Sequence, residues 1–262
     1  MKGKPKIGLA LGAGATRGFA HIGVLQVMEE LGIRPDFIAG SSIGAIIGAL
    51  YAAGVSPKMM EGIAYNLEPG LCYDLCVPRK GFIQGNKLEN LIRMLTRNKD
   101  FEELDIPLAV TAVDLITSER VILRTGNVAR AVRASISIPG VFKPVYDGDR
   151  VLVDGGILER VPVNVVREMG SDIVIGVDVG FRGKHRTTSN ILEIILQSFE
   201  VMELEIIRHT VPDNAIMIYP NINVQNPLGF DHVEETIKAG RKAALDVLQS
   251  SRKLPRALQV PV

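Results

Sequence analysis

Residues 40–44 read Gly-Ser-Ser-Ile-Gly, a Gly-x-Ser-x-Gly sequence with Ser42 at its centre. In this pattern a sharp turn between a strand and a helix exposes the middle serine, and Gly40 and Gly44 avoid Cβ clashes around the turn. Ser42 then lies at a helix N-terminus, whose dipole favours negative charge on reacting oxygens. The motif predicts acyl transfer through Ser42, against the alternative of an ordinary turn with a capping serine.

A second motif, residues 12–18, reads Gly-Ala-Gly-Ala-Thr-Arg-Gly. Such small residues let consecutive backbone N–H groups point at one anion, which suits an oxyanion hole near Gly12, Ala13 and Gly14 and equally suits a phosphate cradle. A dinucleotide-binding protein is therefore an alternative. The spacing Gly-x-Gly-x3-Gly misses that fingerprint by one residue, and Gly-Ser-Ser stands where its acidic residue is expected after the second strand.

A nucleophilic serine needs a base, usually histidine. The chain has four histidines, His21, His185, His209 and His232. The first falls on a helix after the glycine loop, where a structural hydrogen bond is expected, and the others fall in a basic loop or on exposed helices. Asp154 precedes two glycines that permit a close approach to another loop. We therefore predict a Ser42–Asp154 dyad, although Asp154 alone would suit a turn in which it binds backbone N–H groups.

Alternating strand and helix patterns must position these motifs. Strands are predicted at about 7–11, 37–41, 107–114, 120–123, 141–146, 150–153, 173–179 and 215–219, with helices at about 17–31, 43–53, 57–67, 86–97, 162–169, 191–209 and 232–250. The alternation predicts an α/β fold of three layers, α/β/α, with a mostly parallel central sheet. No linker divides the chain, so we predict a single domain over 1–262, with a motif-bearing core at about 7–180 and an extension at about 181–262.

Composition and charge narrow the class of protein. The 262 residues are 47% hydrophobic and 23% charged, which excludes disorder, collagen and coiled coil. Thirty Lys and Arg against 29 Asp and Glu give a net charge of +1, so no overall field attracts nucleic acid, and none is expected as a partner. Cys72 and Cys76 form neither a disulfide framework nor a suitable metal site, which fits a reducing compartment.

Two segments resemble targeting signals. Residues 37–57 carry no charge and contain glycines at the four-residue spacing of membrane helix pairs. The pattern begins like a buried strand that turns into a small-residue helix, so we predict these elements and no membrane span. The N-terminus mimics a signal peptide, but its apolar stretch of about five residues is too short.

The motifs together resemble the patatin-like phospholipase family, in particular its bacterial members related to the esterase domain of neuropathy target esterase. Residues 11–18 with 20–25 are similar to the oxyanion-hole block of that family, 40–44 to its nucleophile elbow, 154–156 to its catalytic Asp-Gly-Gly and 134–142 to a further block. The resemblance extends from about residue 7 to 179, with the motifs in family order. Ala13 replaces a frequent glycine. An α/β-hydrolase would carry several strands before the strand that leads into its serine, whereas here only one strand precedes the strand that leads into Ser42.

The resemblance implies a patatin-like fold and a serine lipid acyl hydrolase without metal or other cofactor. Ser42 is the implied nucleophile and Asp154 the base, with N–H groups near Gly12, Ala13 and Gly14 holding the oxyanion and Arg17 ordering that loop. The implied substrate is a fatty-acyl ester, phospholipid or lysophospholipid. We expect a cytoplasmic protein with transient contact at the inner membrane surface through residues 71–81 and 182–186, whose charges otherwise form a solvated face. The alternative is a non-catalytic lipid-binding or regulatory module.

Overall fold

The computed structural model describes residues 4–77, 80–180, 191–212, 214–224 and 229–251. Within them the strands are β1 Ile7–Leu11, β2 Phe37–Ser41, β3 Leu108–Asp114, β4 Glu119–Leu123, β5 Val145–Asp147, β6 Arg150–Asp154, β7 Ile173–Val177 and β8 Ile216–Ile218. The α-helices are α1 Ala20–Glu30, α2 Ile43–Ala52, α3 Pro57–Tyr65, α4 Pro69–Cys72, α5 Asn86–Leu95, α6 Val128–Ser135, α7 Val163–Glu168, α8 Ile191–Thr210 and α9 Val233–Leu248. Short 3-10 helices cover Ala15–Phe19, Phe101–Glu103 and Gly155–Ile157.

One sheet runs through the molecule, and its centre is parallel. Strands β3, β2, β1, β7 and β8 lie side by side in this order, each parallel to the next. Two hairpins, β3 with β4 and β5 with β6, add antiparallel strands, and β6 also pairs with β3. The predicted α/β fold with a mostly parallel centre is confirmed. The second hairpin starts later than expected, at Val145, because Val141 and Phe142 are buried in a small apolar cluster instead.

Helices cover both faces of the sheet. Side chains alternate along β1, so Leu9 and Leu11 belong to the larger core cluster together with residues of α1, α2, α5 and α9. Ala10 points the other way, into a second cluster that contains Val166 of α7 and Ile207 of α8. The residues after 180 supply β8 to the sheet and α9, which packs on α1. These contacts form the predicted three layers.

Strand β3 brings two distant segments to one edge. Its residue Thr111 pairs with Ser41 of β2 on one side and with β4 on the other. Its next residue, Ala112, pairs with β4 and with Asp154 of β6. Strand β6 therefore continues along the same edge of β3 as β2, directly beyond the end of β2. This register places Asp154 next to the residue that follows Ser41.

The uncharged segment 37–57 forms a buried strand and a ten-residue helix, as predicted. Strand β2 is at the centre of the sheet, and α2 lies against it. A Cβ on Gly44 would be 2.1 Å from the backbone oxygen of Leu11, so the helix can approach the sheet this closely only with glycine at this position. In the described ranges we find no helix that is both long and apolar enough to cross a bilayer.

Candidate active site

Ser42 lies in the turn between β2 and α2, with φ 53° and ψ −123°. A positive φ is unfavourable for serine and costs roughly 1–3 kcal/mol, so the surrounding packing must hold it. The neighbouring glycines are needed here, because a Cβ on Gly40 would be 2.5 Å from the Cα of Ala45. This turn has the strained geometry of a nucleophile elbow and directs the Ser42 hydroxyl away from the sheet.

The Ser42 hydroxyl donates a hydrogen bond to Asp154, with 2.6 Å between Oγ and Oδ2. The other carboxylate oxygen, Oδ1, accepts the N–H of Gly156 at 2.8 Å. Burial raises the pKa of Asp154 to about 6, although these two hydrogen bonds oppose the rise. A carboxylate with this pKa is ionised at neutral pH and is a stronger base than an exposed aspartate. The structure thus brings the predicted nucleophile and base into direct contact.

The C-terminal end of α6 and the residues directly after it hold both members of this pair. The Ser42 N–H donates to Ser135 Oγ at 2.9 Å, and the Asp154 N–H donates to the Ser137 carbonyl at 3.0 Å. The buried Arg133 donates from Nη1 to Ser137 Oγ at 2.7 Å. Sequence reasoning found residues 134–142 only as a family-like block and gave them no role. A serine that binds a backbone N–H distant in sequence leaves no spacing signal that would reveal it.

The glycine loop lies beside Ser42, and its hydrogen bonds change the predicted set of donors. The Gly12 N–H donates to the Val177 carbonyl at 3.0 Å and the Ala13 N–H to the Arg160 carbonyl at 2.8 Å. Both groups are therefore already satisfied, which corrects the expectation that they face the oxyanion. Gly14 comes next, and Ala15 begins a 3-10 helix, whose first N–H groups have no partner within the helix. Any oxyanion hole in this loop therefore centres on Gly14 and Ala15.

Arg17 ties this loop to α8. Its guanidinium is buried and forms an ion pair with Glu200. One turn further along α8, Glu203 lies 3.5 Å from Nη1 of Arg160, which also donates from Nε to Asp178 at 3.1 Å. A loop-ordering role for Arg17 remains a prediction, and the ion pair supplies a physical basis for it.

Glu200 and Glu203 were not predicted as site residues, because on a helix they look like an ordinary charged face. Burial raises the pKa of Glu203 to about 8; Arg160 opposes the rise, and Asp154 and Glu200 add to it. A protonated Glu203 can donate a hydrogen bond at neutral pH. The helix therefore brings a second carboxyl group close to the dyad.

In the described ranges, none of the histidines is positioned to act as the general base for Ser42. The buried His21 donates from Nε2 to the Gly12 carbonyl at 2.9 Å, and burial lowers its pKa to about 4, although that hydrogen bond opposes the shift. This is the structural role that the sequence predicted. His209 and His232 are exposed and lie next to glutamates close by in sequence. His185 and the basic run 182–186 fall outside the described residues.

Two pockets meet at Ser42. The larger one encloses about 920 Å³ with its open mouth, within the size range of about 300–1,000 Å³ for ligand sites, and its mostly apolar wall includes side chains from α2, α3 and α5. The smaller one encloses about 590 Å³ and is lined by Asp154, Arg17, Glu200 and Glu203 beside apolar residues of α8. The hydroxyl therefore separates an apolar compartment from a charged one.

Comparison with known proteins places the chain in a family. A family model described as patatin-like phospholipase matches residues 9–167. An uncharacterized NTE family protein of Mycobacterium tuberculosis is 30% identical over 277 residues, which cover 95% of this chain and 48% of that protein. Patatin-like phospholipase domain-containing protein 6 of Mus musculus is 35% identical over 184 residues, covering 66% of this chain and 13% of that protein. The chain thus spans half or less of the length of these relatives.

Two solved structures share the fold. VipD from Legionella pneumophila superimposes with a TM-score of 0.53 at 13% identity, over 95% of this chain and 67% of VipD. The type III effector protein ExoU of Pseudomonas aeruginosa gives a TM-score of 0.55 at 18% identity, over 96% of this chain and 54% of ExoU. Since the family model also spans more than half of the sequence, the chain belongs to the patatin-like phospholipase family and has NTE family proteins among its relatives.

Proposed function

We propose that this chain is a serine lipid acyl hydrolase in which Ser42 is the nucleophile and Asp154 the base. The observation that carries the proposal is the 2.6 Å hydrogen bond between the two side chains, made at a strained turn beside a large apolar pocket. A serine used only as a helix cap would bond to backbone N–H groups of its helix, and Ser42 makes no such side-chain bond.

The reaction begins when Asp154 takes the proton of the Ser42 hydroxyl as Oγ attacks the ester carbonyl carbon. The N–H groups of Gly14 and Ala15 stabilise the negative charge that forms on the carbonyl oxygen, together with the N-terminus of α2. The leaving alkoxide then receives the proton from Asp154 and departs as an alcohol, which leaves an acyl ester on Ser42. In the second half Asp154 takes a proton from water, the water oxygen attacks the acyl carbon, and the proton returns to Ser42 as the fatty acid leaves.

The two pockets support one orientation of the substrate. The acyl chain enters the apolar pocket, where its burial is favourable, and the leaving alcohol occupies the charged pocket beneath α8. Lysophospholipids, phospholipids and other fatty-acyl esters all consist of an apolar acyl chain and a more polar leaving alcohol. Loop residues Leu71, Leu75 and Val77 are exposed, so transient contact with a lipid surface stays a prediction.

A serine-reactive fluorophosphonate probe tests the proposal. We expect the wild-type protein to be labelled and to release fatty acid from a panel of acyl esters and lysophospholipids, and Ser42→Ala to do neither. Ser41→Ala is a matched control, because the Ser41 hydroxyl is buried next to the site and has no hydrogen-bond partner in the described part of the chain. Absence of both labelling and turnover in the wild-type protein would favour the non-catalytic lipid-binding module.

A further inference from the structure

We propose that the apolar pocket takes a single acyl chain lying along α2, and that the depth reached along this helix sets the longest chain the protein accepts. The inference rests on the proposed function for its substrate and goes beyond it, because it assigns chain-length selection to particular residues. Its structural basis is the arrangement of three helices around the pocket.

Helices α2 and α5 line the pocket with stripes of the same spacing. The stripe on α2 consists of Ile43, Ile46, Ile47 and Leu50, and that on α5 of Leu88, Leu91, Ile92 and Leu95. In each, the residues stand at i, i+3, i+4 and i+7, which is one face of a helix. The opposite face of α2 is against the sheet, where Gly44 meets Leu11. The α2 stripe therefore lines the pocket along the length of the helix, and its members also pack in the larger core cluster.

The pocket has a mouth and a deep end. Ser42 directly precedes α2 and lines the pocket, so the end of the pocket at the reacting hydroxyl, here called the mouth, is at the N-terminal end of that helix. At its C-terminal end the Lys99 ammonium donates to the Ala53 carbonyl at 3.4 Å, which places the end of α5 beside the end of α2. Helix α3 starts four residues after Ala53 and lines the pocket through Met60, Ile63 and Ala64. The deep end is thus formed by Leu50, Met60 and Leu95.

The lining suits a hydrocarbon chain and no charged group. No charged side chain is among the described residues that line the pocket, so an ionised head group entering it would lose its hydration without compensation. At the deep end Leu50 and Met60 are buried and Leu95 is partly buried. At 1.5 Å per helical residue, Ile46 is about 6 Å and Leu50 about 12 Å from Ser42 along the axis.

The experiment compares two substitutions that block the pocket at different depths. Rates are measured for p-nitrophenyl esters with acyl chains of four to sixteen carbons. In the wild-type protein we expect kcat/KM to rise roughly fourfold per methylene until the chain fills the pocket, and then to level off. Leu50→Phe is expected to move that limit to shorter chains, and Ile46→Phe to move it further. Met59→Phe is the control, because Met59 is exposed on α3 outside the pocket and should leave the limit unchanged.

A binding measurement separates this inference from the proposed function. Neutral n-alkyl alcohols are titrated into Ser42→Ala protein carrying each substitution, and affinity should stop rising at the same chain length as kcat/KM. If the chain-length limit shifts in binding but no variant hydrolyses esters, the result would support chain-length selection along α2 and overturn the proposed hydrolase. If esters are hydrolysed with the same chain-length limit in wild type, Ile46→Phe and Leu50→Phe, chain-length selection along α2 would be overturned. An equal shift in both variants would overturn it too. Either result would leave the proposed hydrolase intact.

Discussion

The base role proposed for Asp154 depends on where its carboxyl group lies. Burial raises its pKa to about 6, while the hydrogen bonds from Ser42 and Gly156 hold it below the value that burial alone would give. The sequence predicted Ser42 and Asp154 correctly as a neighbouring pair, because each lies in a short motif with glycines that serve the local backbone. The size and direction of the pKa shift depend on burial, which the motifs do not contain.

Activity should therefore depend on pH through Asp154. A protonated carboxyl cannot accept the Ser42 proton, so we expect kcat/KM to fall about tenfold per pH unit below about 6 and to be level above it. The check is a pH series with a neutral short-chain ester, with fluorescence confirming that the protein stays folded at each pH. A profile that remained level down to pH 4 would show that Asp154 is not the base.

Ser135 should act on the reaction through Ser42. Its hydroxyl accepts the Ser42 N–H, and Ser135→Ala leaves that buried donor unsatisfied, at a cost of about 1–3 kcal/mol. We expect kcat to fall about tenfold or more with little change in KM, because the elbow loses its alignment while both pockets keep their walls. Ser135→Thr retains a hydroxyl and should recover most of the rate. Equal losses in the two variants would indicate a packing defect only.

At the scale of elements, α8 is the part of the site that sequence reasoning did not anticipate. The helix itself was predicted over about 191–209 and is found at Ile191–Thr210. What could not be predicted is that its inner side lies over the dyad, since the pairing of Arg17 with Glu200 spans 183 residues of sequence. Likewise, the sequence could not show that the N–H groups of Gly12 and Ala13 donate to the carbonyls of Val177 and Arg160, which moves the proposed oxyanion donors to the next residues.

Breaking the contact between α8 and the glycine loop should have a measurable cost. Glu200→Gln removes the charge that pairs with the buried guanidinium of Arg17, and we expect a loss of about 1–3 kcal/mol in the free energy of unfolding together with a lower kcat. Glu205→Gln on the same helix is the control, because Glu205 and its partner Arg208 are both exposed. Urea denaturation and ester hydrolysis measure the two quantities. Equal effects of the two substitutions would contradict a specific role for Glu200.

At the scale of the molecule, the alternation of strands and helices predicted the layers and the parallel centre of the sheet. The pattern did not show that β2 and β6 pair with the same edge of β3 and so bring Ser42 and Asp154 together. Pairing of strands distant in sequence is decided by packing and not by local periodicity. The family model ends at residue 167, yet β7, β8, α8 and α9 complete the sheet and the charged pocket. Those later residues carried no motif, and only the structure shows what they contact.

The free energy of unfolding should also depend on pH, because Asp154 is buried in the folded state. The folded state holds the Asp154 proton more tightly than the unfolded chain, so the stability that this group contributes is present below pH about 4 and is lost as the pH rises through about 6. Asp154→Asn removes the titration. We expect its stability relative to wild type to increase across this interval, by at most about 3 kcal/mol. Urea denaturation at several pH values measures this, and a difference independent of pH would contradict it.

The shared edge of β3 has a consequence for how the protein becomes active. Ser42 and Asp154 are 112 residues apart in the chain and meet only when β2 and β6 both occupy their places on that edge. During synthesis the proposed nucleophile is made long before its proposed base, so the Ser42 hydroxyl at first lacks its carboxylate partner. We therefore expect a growing or partly folded chain to be inert toward esters until the hairpin of β5 and β6 has docked on β3.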